Sequence, residues 1–378
     1  MNQQRFVTLL VAALLVVSLG LYMSTRRVAH QESTQGGALF PALAGELAGV
    51  SSLEIRKASP APNVTLHKKG EDWTVAQRAD YPADVSKIRR LLLSLADAKI
   101  VETKTADPAN FPLIGLEDPA PATATSTQIA FTVKDGVHSV IVGKSAGEGN
   151  FVRRGGENQS YTVTPGVFVE TEPKAWIDAK LPDIAVADIQ GIEVKAAGGG
   201  PNYSLHRLPA PPAPKSNKQE APTATGAAAP KPADAAPPPA DPGFALDGVP
   251  AGRKAVNAES LAPSSSAFSG LSADDVAQAA AVDFSKPSTA ALTLKDSSVI
   301  TITGTVLGDK RWIQFSGVKD AAFTAKSAGR AYQLPSYRYD SIFRPLEQLL
   351  VPKETPPAKP VSGSPQKANS TAKPLPAQ

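Results

Sequence analysis

Residues that could do chemistry are few and widely spaced. His67 and His206 sit in matching contexts, Thr65-Leu-His-Lys68 and Ser204-Leu-His-Arg207, and such a pair invites a metal reading. A zinc centre takes about four ligands, and neither histidine has a closely spaced carboxylate beside it, so equivalent strand positions explain the pair more simply. His30 and His138 are isolated. Ser264-Ser-Ser266 follows Pro263 with no G-x-S-x-G turn to present a nucleophile. Asp274-Asp275 and Glu117-Asp118 read as a helix end and a solvated turn rather than as acid/base pairs. Gly198-Gly-Gly200 lacks the Lys-Ser/Thr of a phosphate loop and precedes a strand, so it reads as a hairpin turn. The expected catalytic, cofactor and metal sets are therefore all empty.

Binding chemistry is what remains. Trp73, Tyr81, Phe151, Tyr161 and Trp176 could form an aromatic surface, Arg153-Arg154 could meet an anion, and the loop Asp107–Pro119 is unusually apolar. From these, Trp73, Tyr81, Phe111, Gly115, Leu116, Arg153 and Arg154 are the candidate partner-binding residues. The plainer alternative makes the aromatics core, the arginines a solvated sheet edge, and the loop a strap over the core.

The elements that must position these residues can be read from periodicity. Leu53, Ile55 and Lys57 alternate as a strand, and Val64, Leu66 and Lys68 as a second with His67 on the opposite face. Trp73 and Val75 open a third strand after the turn Gly70-Glu-Asp72. Tyr81-Pro82-Ala83-Asp84 starts a helix in which Ile88, Leu91, Leu92 and Leu95 form one apolar stripe, with Lys87, Arg89 and Arg90 off it. Strands recur at 128–134, 137–143, 150–154 and 160–163, with Asp135-Gly136 as a tight-hairpin signal.

The pattern occurs twice. Val50-Ser-Ser-Leu-Glu-Ile-Arg-Lys57 matches Ile189-Gln-Gly-Ile-Glu-Val-Lys-Ala196, Trp73-Thr-Val75 matches Phe244-Ala-Leu246, and Phe131-Thr-Val-Lys-Asp135 matches Leu292-Thr-Leu-Lys-Asp296. That last register is expected to run without a gap through Val140–Gly143 against Thr301–Gly304, with Phe151 facing Trp312. Leu95 is matched with Leu271, Ile100 with Val276, and Tyr161 with Tyr332. The second copy gains a Pro/Ala-rich insert, Pro209–Pro242, too poor in apolar surface to offset its ordering entropy; the first has an extra loop near Thr103–Thr125, and Pro263 with its serine run should interrupt the second helix. The expected architecture is α+β: an N-terminal transmembrane helix followed by two tandem repeats of a mostly antiparallel sheet with a packed helix. Its parts are an anchor (1–27), a linker (28–49), module 1 (50–185), module 2 (188–350) with a disordered insert (209–242), and a disordered tail (351–378).

Composition fits this layout. Of 378 residues 35 are Pro and none is Cys, which excludes disulfide scaffolds, thiolate metal sites, a Cys nucleophile and Cys lipidation. The net charge of +4 is spread too thinly for a nucleic-acid surface. Phe6–Met23 carries no charge, and 18 residues at helical rise span about 27 Å, close to a bilayer's hydrocarbon core. Tyr22 sits where an interfacial anchor belongs, and Arg26-Arg27 close the far end. A cleaved signal peptide is the alternative, with Ser18 and Gly20 as a weak small-x-small site. An uncleaved anchor in a bacterial inner membrane, with the bulk of the chain in the periplasm, is the expectation.

Read in order, Trp73-Thr-Val75, Tyr81-Pro-Ala-Asp84, Ile114-Gly-Leu-Glu-Asp-Pro119, Val142-Gly143, Phe151-Val-Arg153 and Tyr161-Thr-Val163 resemble the bacterial domain-of-unknown-function family numbered 4340. The resemblance covers about Val50–Lys180 well and the second copy more loosely. It implies a single-pass, envelope-facing protein often associated with ABC-type export systems resembling those of gliding-motility machinery, and assigns no catalytic residues. The expected function is a membrane-anchored, non-enzymatic periplasmic accessory protein of an ABC-type transport complex. Its partners would be the lipid bilayer, through residues 6–23, and a transporter permease or auxiliary subunit. A module binding cell-wall polymer or glycan is the alternative, and a periplasmic hydrolase a further one.

Overall fold

A computed structural model describes residues 36–209 and 241–352. The expected anchor 1–27, most of the insert and nearly all of the tail lie outside the described residues. Among the described residues no helix is long and apolar enough to cross a membrane.

Residues 36–49, read from sequence as linker, pack into the body. Gly36 donates to the Ile100 carbonyl and Leu39 to that of Ala98 (2.8 and 2.7 Å), and the short helix α1 (Leu43–Glu46) brings Leu43 into the core beside Leu39 and Phe40. The first sheet follows, built from β1 (Ser52–Arg56), β2 (Val64–Lys69), β3 (Asp72–Val75), β4 (Tyr81–Pro82), β5 (Lys99–Thr103), β6 (Thr127–Val133), β7 (Gly136–Ala146), β8 (Gly149–Arg154) and β9 (Ser160–Thr164). Its order is β4-β3-β2-β1-β6-β7-β8-β9-β5, and every pairing is antiparallel.

Helix α2 (Val85–Asp97) starts later than the sequence suggests. Tyr81 and Pro82 pair with Val75 and Thr74 as a short strand. The helix begins after Asp84, whose carboxylate accepts from the backbone N–H groups of Ser86 and Lys87, an N-cap interaction typically worth about 1 kcal/mol. Ile88, Leu91, Leu92 and Leu95 are buried as one stripe, each contributing roughly 1.5–3 kcal/mol of transfer free energy. The 104–126 loop contains the short helix α3 (Phe111–Ile114), closed by Gly115 at φ 71°.

The second sheet comprises β10 (Ile189–Lys195), β11 (Tyr203–Arg207), β12 (Phe244–Asp247), β13 (Asp275–Gln278), β14 (Ser288–Leu294), β15 (Val299–Leu307), β16 (Lys310–Ser316) and β17 (Arg330–Leu334). Its order is β12-β11-β10-β14-β15-β16-β17-β13. Strand for strand this repeats the first sheet without β4. Helix α4 (Ala258–Ser266), capped by Asn257, occupies the place of α2 in chain order, and Pro263 lies inside it without ending it. The expected interruption is thus a shortening to nine residues. Helices α5 (Ala321–Ser327) and α6 (Ser336–Ile342) complete the unit.

Pairing also corrects the internal alignment. Phe131 pairs with His138, but Leu292 pairs with Ile300, so the second hairpin is one residue longer. Val140 therefore corresponds to Ile302 and Val142 to Gly304, not to Thr301 and Thr303. The residue is returned in the next hairpin: Val142 faces Val152 and Gly304 faces Ile313, which keeps Phe151 with Trp312. Ile100 faces Val163, whereas Val276 faces Tyr332, so that match is displaced along the strand. Leu271 lies beyond α4, so it is not the helical counterpart of Leu95. The first hairpin closes at Val133 and Gly136, making Lys134-Asp135 its turn.

The two sheets share one contiguous apolar core. Across their junction Arg78 donates to both carboxylate oxygens of Asp275 (2.6 and 2.9 Å), Arg330 donates to the Ala79 carbonyl (2.6 Å), and Lys326 donates to Asp178 (2.8 Å). The Tyr81 and Tyr332 rings meet edge-on with centroids 6.1 Å apart.

Candidate partner-binding surface

Four of the seven sequence candidates come together, as a strap. Phe111 and Leu116 are buried with Ile141 in a small apolar cluster on the outer face of the first sheet, separate from the main core. Arg153 donates from Nε to the Leu116 carbonyl (2.9 Å), and its guanidinium lies 4.8 Å from the Phe111 ring centre. Burial lowers the Arg153 pKa, and Asp118 opposes that. Gly115 supplies the positive φ that closes the turn, where a side chain would meet Lys144 and Thr125. Glu117 fastens the far end, its Oε1 accepting from Thr125 N, Thr125 Oγ1 and Ser126 N. Burial works against that charge, but these donors outweigh it and hold the carboxyl below its ordinary range. The group is bound to itself. The large apolar side chain the strap offers outward is Leu113, 71% exposed.

The other three lie elsewhere. Arg154 reaches from Nε to the Leu39 carbonyl (3.0 Å) and stacks by Tyr161, tying residues 36–40 to the sheet. Tyr81 is a core residue at the junction between sheets, and burial drives its phenol pKa far up. Trp73 is 5% exposed, as a core residue at the floor of a groove.

The open surface with binding chemistry is the outward face of α2. Lys87, Arg89 and Arg90 are exposed, with Leu93 42% exposed one turn on. Among the described residues, no ion pair involves any of the three cations. A groove runs along each side of the helix. One, of about 320 Å³, has Trp73 and Leu47 among its walls together with Arg89 and Leu93; Glu71 is its carboxylate. The other, of about 700 Å³, is bounded by Lys87, Arg90, Trp176 and Phe168, with Glu170 as its carboxylate. Phe168 is 73% exposed. Sequence reasoning placed the cations off the apolar stripe but assigned them no role, and it passed over Phe168. Its Val-Phe-Val setting, 167–169, reads as core, and Val167 is indeed buried.

Elsewhere, two of the groups singled out in the sequence are paired. His206 pairs with Asp247 (2.7 Å) at an exposed sheet edge. Asp275 lies in a strand, committed to Arg78. No group of three His, Cys, Asp or Glu side chains able to hold a metal is present among the described residues.

With this geometry in hand, comparison with protein families places the chain. The model for the Domain of unknown function (DUF4340) matches residues 73–295, more than half the sequence, and the chain belongs to that family. The match runs from β3 through β14, so the family unit takes in parts of both sheets rather than the first copy alone. No curated protein and no solved structure matches the chain.

Proposed function

We propose that this protein is a non-enzymatic accessory subunit of an envelope transport complex. In this reading Phe6–Met23 holds it in the inner membrane and the two-sheet body stands on the periplasmic side beside an ABC-type permease. The observation that supports the reading is the pairing of an uncharged apolar 6–23 segment with a body that offers contact surfaces in two places, the basic side of α2 between two grooves and, apart from it, the strap with Leu113 exposed. Of the polar groups that sequence would nominate for catalysis or metal binding, Glu117 is held by Thr125 and Ser126, Asp275 by Arg78 and His206 by Asp247. A glycan-binding module would need aromatic faces open to solvent. Trp73 and Tyr81 are buried, leaving that alternative to rely on Phe168 or Tyr337.

The test is capture of the tagged full-length chain from membranes in mild detergent, followed by identification of its partners. Recovery of an ATPase and a permease in constant proportion is the expected result. Capture of the intact chain with no transporter component overturns it.

A further inference from the structure

The chain enters the described body at Gly36, and residues 36–48 run alongside α2. Gly36 and Leu39 bond to the segment just after the helix, and Leu47 and Ala48 form part of the wall of the groove beside Arg89 and Leu93. Between Met23, the end of the apolar segment, and Gly36, residues 24–35 reach at most about 40 Å even when fully extended. Arg89 and Leu93 share the groove that Leu47 and Ala48 help to line, and Lys87, Arg90 and Phe168 line the groove on the other flank, with Leu93 and Phe168 both exposed. Long basic side chains keep their charged heads at a polar boundary, and exposed Phe and Leu partition into the layer beneath it. Against the two carboxylates Glu71 and Glu170 the grooves set Lys68, Lys87, Arg89 and Arg90, of which Lys87 also donates to the Ala175 carbonyl (2.6 Å), so cations stay in excess.

We infer that the outward face of α2, with Phe168, rests on the anionic phospholipid surface from which the chain emerges, so that the body lies against the bilayer in a fixed orientation. This rests on the reading that Phe6–Met23 is in the membrane. The occupant is the lipid headgroup layer because the charge is complementary to phosphodiesters and the short reach of residues 24–35 keeps that layer close. A polybasic patch near an anionic surface gains about 1 kcal/mol per cation, roughly five-fold in occupancy each, and loses it to salt.

Because the chain has no cysteine, single spin labels report position without background. The full chain is reconstituted into vesicles of phosphatidylcholine alone or with about one-third phosphatidylglycerol, labelled in turn at Leu93→Cys, Phe168→Cys, Val137→Cys and Leu14→Cys. Val137 is 71% exposed at the end of the β6–β7 hairpin and lines neither groove beside α2. The expected result is lipid-like collision accessibility at 93 and 168 in the anionic vesicles, reversed by high salt or by the triple change Lys87→Glu, Arg89→Glu, Arg90→Glu, with 137 aqueous throughout. Thermal melting of the triple variant confirms that it folds. Aqueous labels at 93 and 168 while the label at 14 is in lipid overturn the docking face and leave the anchor standing. An aqueous label at 14 overturns the anchor itself. Labels at 93 and 168 that are immobilised but insensitive to lipid charge and salt indicate a protein partner and also overturn the proposal.

Discussion

Gly143 lies under the strap. A Cβ there would stand 2.4 Å from the Ile114 carbonyl oxygen and 2.8 Å from that of Gly115, both backbone atoms that cannot swing aside. Gly143→Ala should cost about 1–3 kcal/mol, read as a fall in the urea midpoint with unchanged m-value, while the neighbouring Lys144→Ala costs far less. Glu117 and Asp84 give a pH test. Their folded pKa values are depressed, by donated hydrogen bonds that outweigh the cost of burial. The stability they contribute is therefore present above the ordinary carboxylate range and is lost as pH falls through the folded values. Denaturant titrations at neutral and acidic pH should show a shallower acid loss in Glu117→Gln and Asp84→Asn than in the wild type; an equal slope would show that these carboxylates do not matter. Neither role could be read from composition. Adjacent acids in a loop look alike whether they face water or fasten a turn, and only the return of Thr125 and Ser126 onto Glu117 separates the cases.

Helices and strands were legible where a single face is buried. The stripe Ile88, Leu91, Leu92, Leu95 repeats at 3.6 residues, and no other element satisfies it. The start of α2 was misplaced because Pro82 suits a first helical turn and an edge strand equally well, and long-range pairing with Thr74 decided for the strand. Strand β5 was not recognised: its buried residue is Ile100 alone, since Val101 is 47% exposed. The gapless repeat alignment failed for a related reason. A one-residue insertion in a hairpin moves Ile302 into the place of Thr301, and both are β-branched. Pro263 tests element-scale strain, since it deprives α4 of one internal hydrogen bond. Pro263→Ala should stabilise the protein by about 1 kcal/mol or more, measured by thermal melting, and a lower melting temperature would show that the proline fits its site. In the strap, Leu116→Ala should cost about 2–5 kcal/mol because Leu116 is fully buried, whereas Leu113→Ala should be near neutral.

For the molecule as a whole, duplication was visible in sequence because each copy keeps its strand order, but the joint between copies was not. Arg78 and Asp275 are 197 positions apart and come from non-equivalent elements, so no internal comparison could pair them. The pair is only partly shielded, 24% and 13% exposed, which places its worth between a surface bridge and a buried one. Arg78→Met should cost about 1–3 kcal/mol, and a double-mutant cycle with Asp275→Asn should show coupling of about 1 kcal/mol. The continuous core further predicts one cooperative transition. Calorimetry resolving two melts would show that the sheets fold independently.

The second-sheet strands β11 and β12 lie side by side, and their outer ends are clasped: Leu208 donates to the Gly243 carbonyl (3.0 Å) and Arg207 holds Asp241 (2.6 Å). Whatever separates residues 209 and 241 hangs from a stem whose geometry is already closed, and loop-closure entropy grows only logarithmically with length. That makes the stem a natural grafting point. Cutting residues 212–238 down to a short Gly-Asn link, or splicing a fluorescent protein between them, should leave melting behaviour nearly untouched, offering a reporter attachment at one edge of the second sheet.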